Sequence, residues 1–476
     1  MAKFQGPLGT IERRARNLAA SALACLMLCG AGACEAAREL VDPPALRSEN
    51  GLLLVQLSAA PAPIIIGDHR FDGMLYNGAY IPELWRVRPG DTLVVTLSNQ
   101  LPEITNLHFH GMKVSPQGAS DNVFVHIQPG ESFSYRVDIP VEHPPGLFWY
   151  HSHAHGLSSQ QIIGGLSGAL IVEGSERFYP LLKGLTERVL LLKHHPDPRA
   201  DWEELVTLNG MVAPRIPMRP GELQYWRIGN IGADLFLKLK LEGMALYLIG
   251  TDGTYLHRPV KVDEMMLGPG QRVEVVAVGG PPGSYRLKSI PFTLESGRPP
   301  LPEHELAIVV SNGPAADIAA AEAKLTAQAV ESSPYIGALR ASPIAQRRIF
   351  TFSRSEDRTK FFINGELFDS DRTDVTAVLG DVEEWTIRND DNQLHNFHIH
   401  QTEFLVTSVN GELRNFDSLY DTFTVPAADE GRPGEIKVVI PFSNPAIVGR
   451  FVFHCHVVKH EDKGMMQTIE VVRKSK

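Results

Sequence analysis

Arg88-Pro89-Gly90-Asp91-Thr92-Leu93-Val94-Val95-Thr96-Leu97-Ser98-Asn99 decides the fold, because the chain writes it three times. Ahead of this copy stands Asn77-Gly78. The second copy runs from Asn209-Gly210 through Arg219-Pro220-Gly221-Glu222 to Tyr225-Trp226-Arg227-Ile228-Gly229-Asn230, and the third from Asn364-Gly365 through Gly380-Asp381 to Trp385-Thr386-Ile387-Arg388-Asn389. First to last Asn spans 22, 21 and 25 residues, close enough to be one repeat. Pro/Gly turns with alternating stretches follow, at Gln128-Pro129-Gly130-Glu131 in the first copy and Gly268-Pro269-Gly270-Gln271 in the second. Short runs rich in Val, Ile, Leu and Tyr, punctuated by Gly, Pro and Asn, predict strands and turns, and hence three related β-sandwiches. The expected boundaries are 50–176, 177–313 and 346–476. Residues 314–345, Ala-rich and without strand alternation, read as a linker with a helical turn or two.

Outside the repeats, residues 18–33 are apolar, follow Arg13, Arg14 and Arg16, and end in Ala31-Gly32-Ala33. That is the pattern of an export signal over residues 1–33, with the arginine pair permitting a twin-arginine route and Cys34 placed to carry a lipid anchor. The expected location is periplasmic or extracellular, and the expected state a monomer. No later segment is apolar enough to span a membrane. With 43% hydrophobic and 21% charged residues the body is expected to be globular. Removing residues 1–33 takes away four basic residues and Glu12, which moves the formal charge from −10 to −13. A nucleic-acid partner is excluded on that ground, since it requires a basic face. Of four cysteines only Cys455 lies in the expected body, so no disulfide framework is expected.

Ten of the 18 histidines fall in four clusters: His108-Phe109-His110, His151-Ser152-His153, His395-Asn396-Phe397-His398-Ile399-His400 and His454-Cys455-His456-Val457-Val458-Lys459-His460. Two clusters lie in the first repeat, two in the third and none in the second. Each contains His-x-His, and on a strand residues i and i+2 share a face, so two imidazoles converge. Neutral imidazole is a ligand for copper, zinc or iron. Cys455 must face away from His454 and His456, so one strand serves two metal sites. His460 and Met465 follow on the loop leaving that strand, and two histidines with a thiolate and a weak thioether form the blue-copper arrangement.

Together these four clusters, in order and spacing, resemble the copper-binding motifs of the multicopper oxidase family, in particular its three-domain, laccase-like bacterial members. The resemblance covers the chain beyond the leader. It implies an all-β fold of three cupredoxin-like (Greek-key β-sandwich) domains, with copper carried by the first and third. It further implies four copper ions: type 1 on His395, Cys455, His460 and axial Met465; type 2 on His108 and His398; and a type 3 pair on His110, His151, His153, His400, His454 and His456. Electrons from a small reducing substrate, phenols or aromatic amines, would enter at the type 1 ion and reduce O2 to water at the other three. Asp121 and Glu461 match family acids that serve O2 reduction.

Four alternatives stand beside this one. A cuprous oxidase for copper tolerance is disfavoured because, outside the leader, methionines pair only at Met265-Met266 and Met465-Met466. A copper-free exported scaffold would not need the full ligand set. Copper nitrite reductases have two domains and no counterpart of His151-Ser152-His153, and an electron carrier would need one domain. His126, His143, His194, His195, His257 and His304 are expected at the surface, His155 outside the ligand set, and Asp421-Thr422 as a structural element.

Overall fold

Every repeat closes on the same hydrogen bonds. In the computed structural model, which describes residues 38–196, 204–328, 334–414 and 418–474, Asn77, Asn209 and Asn364 have φ of 51°, 51° and 55°, and the glycines after them 73°, 75° and 79°. Two consecutive left-handed residues make a tight turn that Asn-Gly adopts with little strain. Each asparagine also clamps the longer strand that pairs antiparallel with the one leading into its turn. Its side-chain oxygen accepts from Ser58, Leu191 or Thr351 N–H at 2.8 Å, and its amide donates to the carbonyl of Gln56, Val189 or Ile349.

The asparagines that end the copies also act alike. Asn99 donates to the carbonyls of Glu103 and Ile127 and accepts from Leu101 N–H. Asn230 does the same with Leu235, Leu267 and Gly232, and Asn389 with Gln393, Pro426 and Asp391. All three are buried, and each satisfies backbone groups that the departing strand would otherwise strand away from water.

Pairing repeats as well. The strand that each Asn clamps runs parallel to the strand ending in Asn: Leu52–Ile66 with Thr92–Asn99, Thr186–Pro196 with Leu223–Asn230, and Gln346–Arg354 with Val382–Asn389. All other neighbours of these Asn-ending strands are antiparallel, so the sheets are mixed. Sheets of four and five strands form the first sandwich, six and five the second, and seven and five the third. The chain is thus all-β, with three cupredoxin-like sandwiches inside Glu39–Lys476. The first begins at a short strand, Ala45–Arg47, ahead of residue 50.

Alternation fills each core: Leu53, Val55 and Leu57 point inward from Leu52–Ile66 while Leu52, Leu54 and Gln56 face out. Each such burial removes about 1.5–3 kcal/mol of apolar exposure. The strands that carry histidines differ. Every residue of His108–His110, Gly146–His151 and His395–Ile399 is buried. On the first of these sheets the outer face meets another sandwich, where Leu147, Trp149, Ala169 and Ile171 pack on Val189, Leu191 and Ile231.

Between the second and third sandwiches the chain forms two helices, Ile318–Thr326 and Pro334–Ala341, more than the turn or two expected. Apolar side chains explain the extra length: Leu325 docks with Ile318 and Ala321 on the second sandwich, and Ile336 and Leu339 on the third. The export segment 1–33 and Cys34 lie outside the described residues, and no helix among the described residues is long and apolar enough to cross a membrane. Replacing Asn99 with Ala removes three hydrogen bonds and leaves the Leu101 N–H and the half-buried Glu103 carbonyl without that partner, while the Ile127 carbonyl keeps Thr105 N–H. The substitution is expected to lower the stability of the copper-free protein by about 2–4 kcal/mol, read from guanidinium unfolding midpoints.

Candidate metal centres

Strand register brings the histidines together. His108–His110 pairs with Gly146–His151 so that His108 lies opposite His151. His395–Ile399 pairs with Gly449–Cys455 so that His398 lies opposite His454 and Phe397 opposite Cys455. Alternation then sends Cys455 one way and its flanking histidines the other. His460 comes from the helix Val458–Asp462, and Met465 follows it after Gly464.

On the Cys455 side, Sγ lies 3.2 Å from His395 Nδ1 and 3.7 Å from His460 Nδ1, and the two nitrogens are 3.3 Å apart. A point equidistant from these three atoms is about 2.0 Å from each, the length of a metal–imidazole bond and slightly short for a metal–thiolate one. Met465 is buried in the same cluster, and its backbone holds the loop: Cys455 N–H donates to Met465 O, and Met465 N–H to His460 O. Phe361 stacks on the His460 ring at 4.0 Å, and Asp391 Oδ2 lies 3.3 Å from His395 Nε2. Burial pushes the Cys455 thiol up to about 12. The thiolate therefore needs a cation beside it, and metal uptake would release a proton.

On the other face eight buried imidazoles meet. His153 Nε2 and His400 Nε2 lie 3.3 and 3.1 Å from His454 Nε2, and His110 Nδ1 lies 3.1 Å from His456 Nε2. His108, His151 and His398 each have a buried Nε2 without a hydrogen-bond partner. Their outer nitrogens are occupied: His108 Nδ1 faces Asp121 Oδ1 at 3.0 Å, His151 Nδ1 the Ser152 carbonyl at 2.8 Å, and His398 Nδ1 the Asp421 carbonyl at 2.8 Å. With the proton held outside, the lone pair turns inward. Burial, reinforced by the neighbouring imidazoles, holds His108, His110, His153, His398, His400 and His456 well below the usual histidine range. Converging neutral donors with unpartnered atoms fit soft or borderline transition-metal ions, copper among them.

Around them stand acids. Asp121 accepts from Phe109 N–H at 2.9 Å and from Gln401 Nε2 at 2.8 Å, while burial pushes its carboxyl up to about 7. Glu461 is buried with Oε2 3.1 Å from His454 Nδ1 and Oε1 3.5 Å from His153 Nδ1, and burial raises its carboxyl well above the usual range. Asp421, read from sequence as structural, instead touches the cluster, with Oδ1 3.0 Å from His110 Nε2. Gln401 carried no sequence signal, since it is recognised only by the distant Asp121 it meets, and Asp391, four residues before His395, sits in a turn without strand periodicity.

Two surface expectations are corrected. His143 is buried: its Nε2 accepts from Lys113 N–H and its Nδ1 donates to the Pro144 carbonyl. His194 is buried on the all-inward stretch of Thr186–Pro196, with its imidazole against Gly232. Both are fixed by neighbours remote in sequence. His155 is exposed, packs on Phe368 and joins none of the converging donor groups.

Sandwiches that bury a thiol with two histidines beside an eight-histidine cluster define a multidomain cupredoxin metalloprotein. Family comparison agrees: residues 63–177, 147–293 and 342–475 each match a description reading "Multicopper oxidase". The chain belongs to the multicopper oxidase family, whose members bind copper and use O2 with a reducing substrate. It is 26% identical to the multicopper oxidase mco of Staphylococcus haemolyticus, over 91% of this chain and 92% of that one. A Campylobacter jejuni multicopper oxidase, described as a metallo-oxidase, matches in structure with a TM-score of 0.76 at 25% identity, over 92% of this chain and 96% of that one. The cell division protein FtsP of Yersinia pestis is 25% identical over 78% of this chain and 80% of its own length.

Cys455→Ser is expected to abolish the blue absorption and turnover together, while copper still loads at the histidines on the opposite face, as counted by atomic absorption.

Proposed function

We propose that the protein oxidises a small organic donor, a phenol or aromatic amine, and passes the electrons to O2. Copper, when bound, supplies one-electron oxidation at a type 1 ion and four-electron reduction of O2 to two waters, with four protons, at a type 2 ion and a type 3 pair. The observation that carries this reading is the complete set of inward-facing donors, three of them buried nitrogens without partners. In this assignment His395, Cys455, His460 and Met465 seat the type 1 ion, and His108 and His398 the type 2 ion. His110, His151 and His456 seat one type 3 ion, and His153, His400 and His454 the other. The first trio joins His110 and His456 at 3.1 Å, and the second converges on the His454 Nε2.

The remaining residues hold and supply. Cys455 is joined through single peptide bonds to His454 and His456, so one strand connects the two sites. Asp121 fixes the His108 ring, and Asp121 and Glu461 are the acids assigned to proton supply. A cavity of about 700 Å³, lined by His153, Phe124 and Val452 among others, offers small molecules an approach. Export, with either a soluble chain or an anchor at Cys34, belongs to the same reading on the strength of residues 1–33.

Lys463, Arg354 and Lys459 lie near His460, and of these Arg354 and Lys459 are paired with carboxylates. Asp391, the carboxylate at His395, is buried and lies 3.0 Å from Arg354 Nη2. A metal ion as donor is the second reading, favoured by the similarity to the Campylobacter metallo-oxidase. A copper-free scaffold role is opposed by the intact donor set.

Two measurements test the proposal. On copper-loaded protein, kcat/KM is expected to be higher for a phenol or aromatic diamine than for Cu(I) or Fe(II); a hundredfold preference for either ion would overturn the organic-donor reading. Asp121→Asn is expected to keep copper content and blue colour while turnover falls about 10–100-fold. Unchanged turnover would remove Asp121 from the mechanism.

A further inference from the structure

The second sandwich contributes no histidine to the cluster, yet it sends one side chain into it. Arg272, on the strand Arg272–Val278, is about 1% exposed and touches all three sandwiches. Its Nε donates to the Leu147 carbonyl of the first at 3.0 Å, and Nη1 to the Gly270 carbonyl of its own at 3.1 Å. Nη1 and Nη2 together donate to the two oxygens of Asp421 in the third, at 2.7 and 2.6 Å. Asp252 Oδ1 lies a further 3.1 Å from Nη1.

Both oxygens of Asp421 already accept hydrogen bonds from the protein. Oδ1 accepts from Arg272, from the Thr422 hydroxyl at 2.8 Å and faces His110 Nε2 at 3.0 Å, while Oδ2 is taken by Arg272. A carboxylate acting only as acceptor requires the His110 proton on Nε2, so Nδ1 carries the inward lone pair. His110 is thereby turned opposite to His108, His151 and His398, whose Nε2 atoms point in. The Asp421 carbonyl and Thr422 hydroxyl at the same time hold His398 Nδ1, at 2.8 and 3.0 Å. Room for this contact comes from Gly111, next to His110: at its φ of 82° a Cβ would lie 2.5 Å from Arg272 Nη2 and 2.6 Å from Asp421 Oδ2.

We propose that Arg272 is a positioning residue of the histidine cluster: through Asp421 it selects the His110 tautomer and fixes the place of His398, so the ligand-free sandwich sets the geometry of a metal site between the other two. This rests on the reading of the eight histidines as copper ligands.

Arg272→Lys keeps the charge and loses the two-pronged fork. The variant is expected to take up the blue copper with unchanged absorption, to bind the cluster coppers about 10–100-fold more weakly, and to show an altered type 2 electron paramagnetic resonance signal. Asp421→Asn, which keeps the shape and removes the charge, is expected to give the same cluster-specific loss and serves as the test should the lysine variant fail to fold. Wild-type copper count, affinity and type 2 signal in a folded variant would overturn the proposal. So would equal weakening of the blue site and the cluster, which would mark the contact as merely structural. Wild-type protein that binds only the blue copper would instead overturn the underlying ligand assignment.

Discussion

The antiparallel pairing of His395–Ile399 with Gly449–Cys455 is the constraint from which the two sites descend. Because it sets His398 opposite His454 and Phe397 opposite Cys455, strand alternation puts the thiol in the core of the third sandwich and the imidazoles on its outer face. A slip of one residue would exchange them, sending the thiol to the domain interface and the histidines into the apolar core. Register is held by what surrounds the pair. Phe397, Phe453 and Trp385 pack inside, and the Asn389 side chain ties down the turn that precedes His395.

Burying so many basic side chains is tolerable only because they stay neutral. Desolvation and mutual repulsion both oppose protonation of the cluster histidines, but neutrality leaves lone pairs aimed at one another. A protein without a cation there would leave several nitrogens unpartnered, each a cost of about 1–3 kcal/mol. Cation binding relieves that cost, so the fold is prepared for the ion at the expense of its copper-free stability. Supporting contacts make the preparation specific, since each outer nitrogen that is held by a carboxylate or carbonyl decides which inner nitrogen is free.

Much of this was legible in the sequence because the informative features are local. Asn-Gly turns and terminal asparagines act within one repeat, and the same residues make the same bonds in all three copies. His-x-His and His-Cys-His are likewise read from strand periodicity alone. What escaped the sequence crosses between sandwiches. Gln401 is recognised only when Asp121 of another sandwich is beside it, and Asp421 only when Arg272 and His110 arrive from two others. His143 and His194 looked like surface residues because their neighbours in sequence are Pro and Gly-rich turns or polar groups, whereas their burial is decided by Lys113 and Gly232.

The empty middle repeat gains a purpose from the same geometry. Two sandwiches that each supply four histidines could meet at many angles, and the histidines alone would not choose among them, since imidazoles without an ion do not attract one another. Directional contacts must do so before metal arrives. A buried guanidinium with a fixed fork of donors is suited to that task, because it can satisfy a carbonyl of one sandwich and a carboxylate of another only at one separation and orientation. The apolar seam of Leu147, Trp149, Val189 and Leu191 supplies attraction between the first and second sandwiches, and Arg272 supplies direction among all three. Without cluster histidines of its own, the second repeat brings its loops close, as Gly270 does at His110 and His456, where even a Cβ would come within 3.0–3.1 Å of the rings.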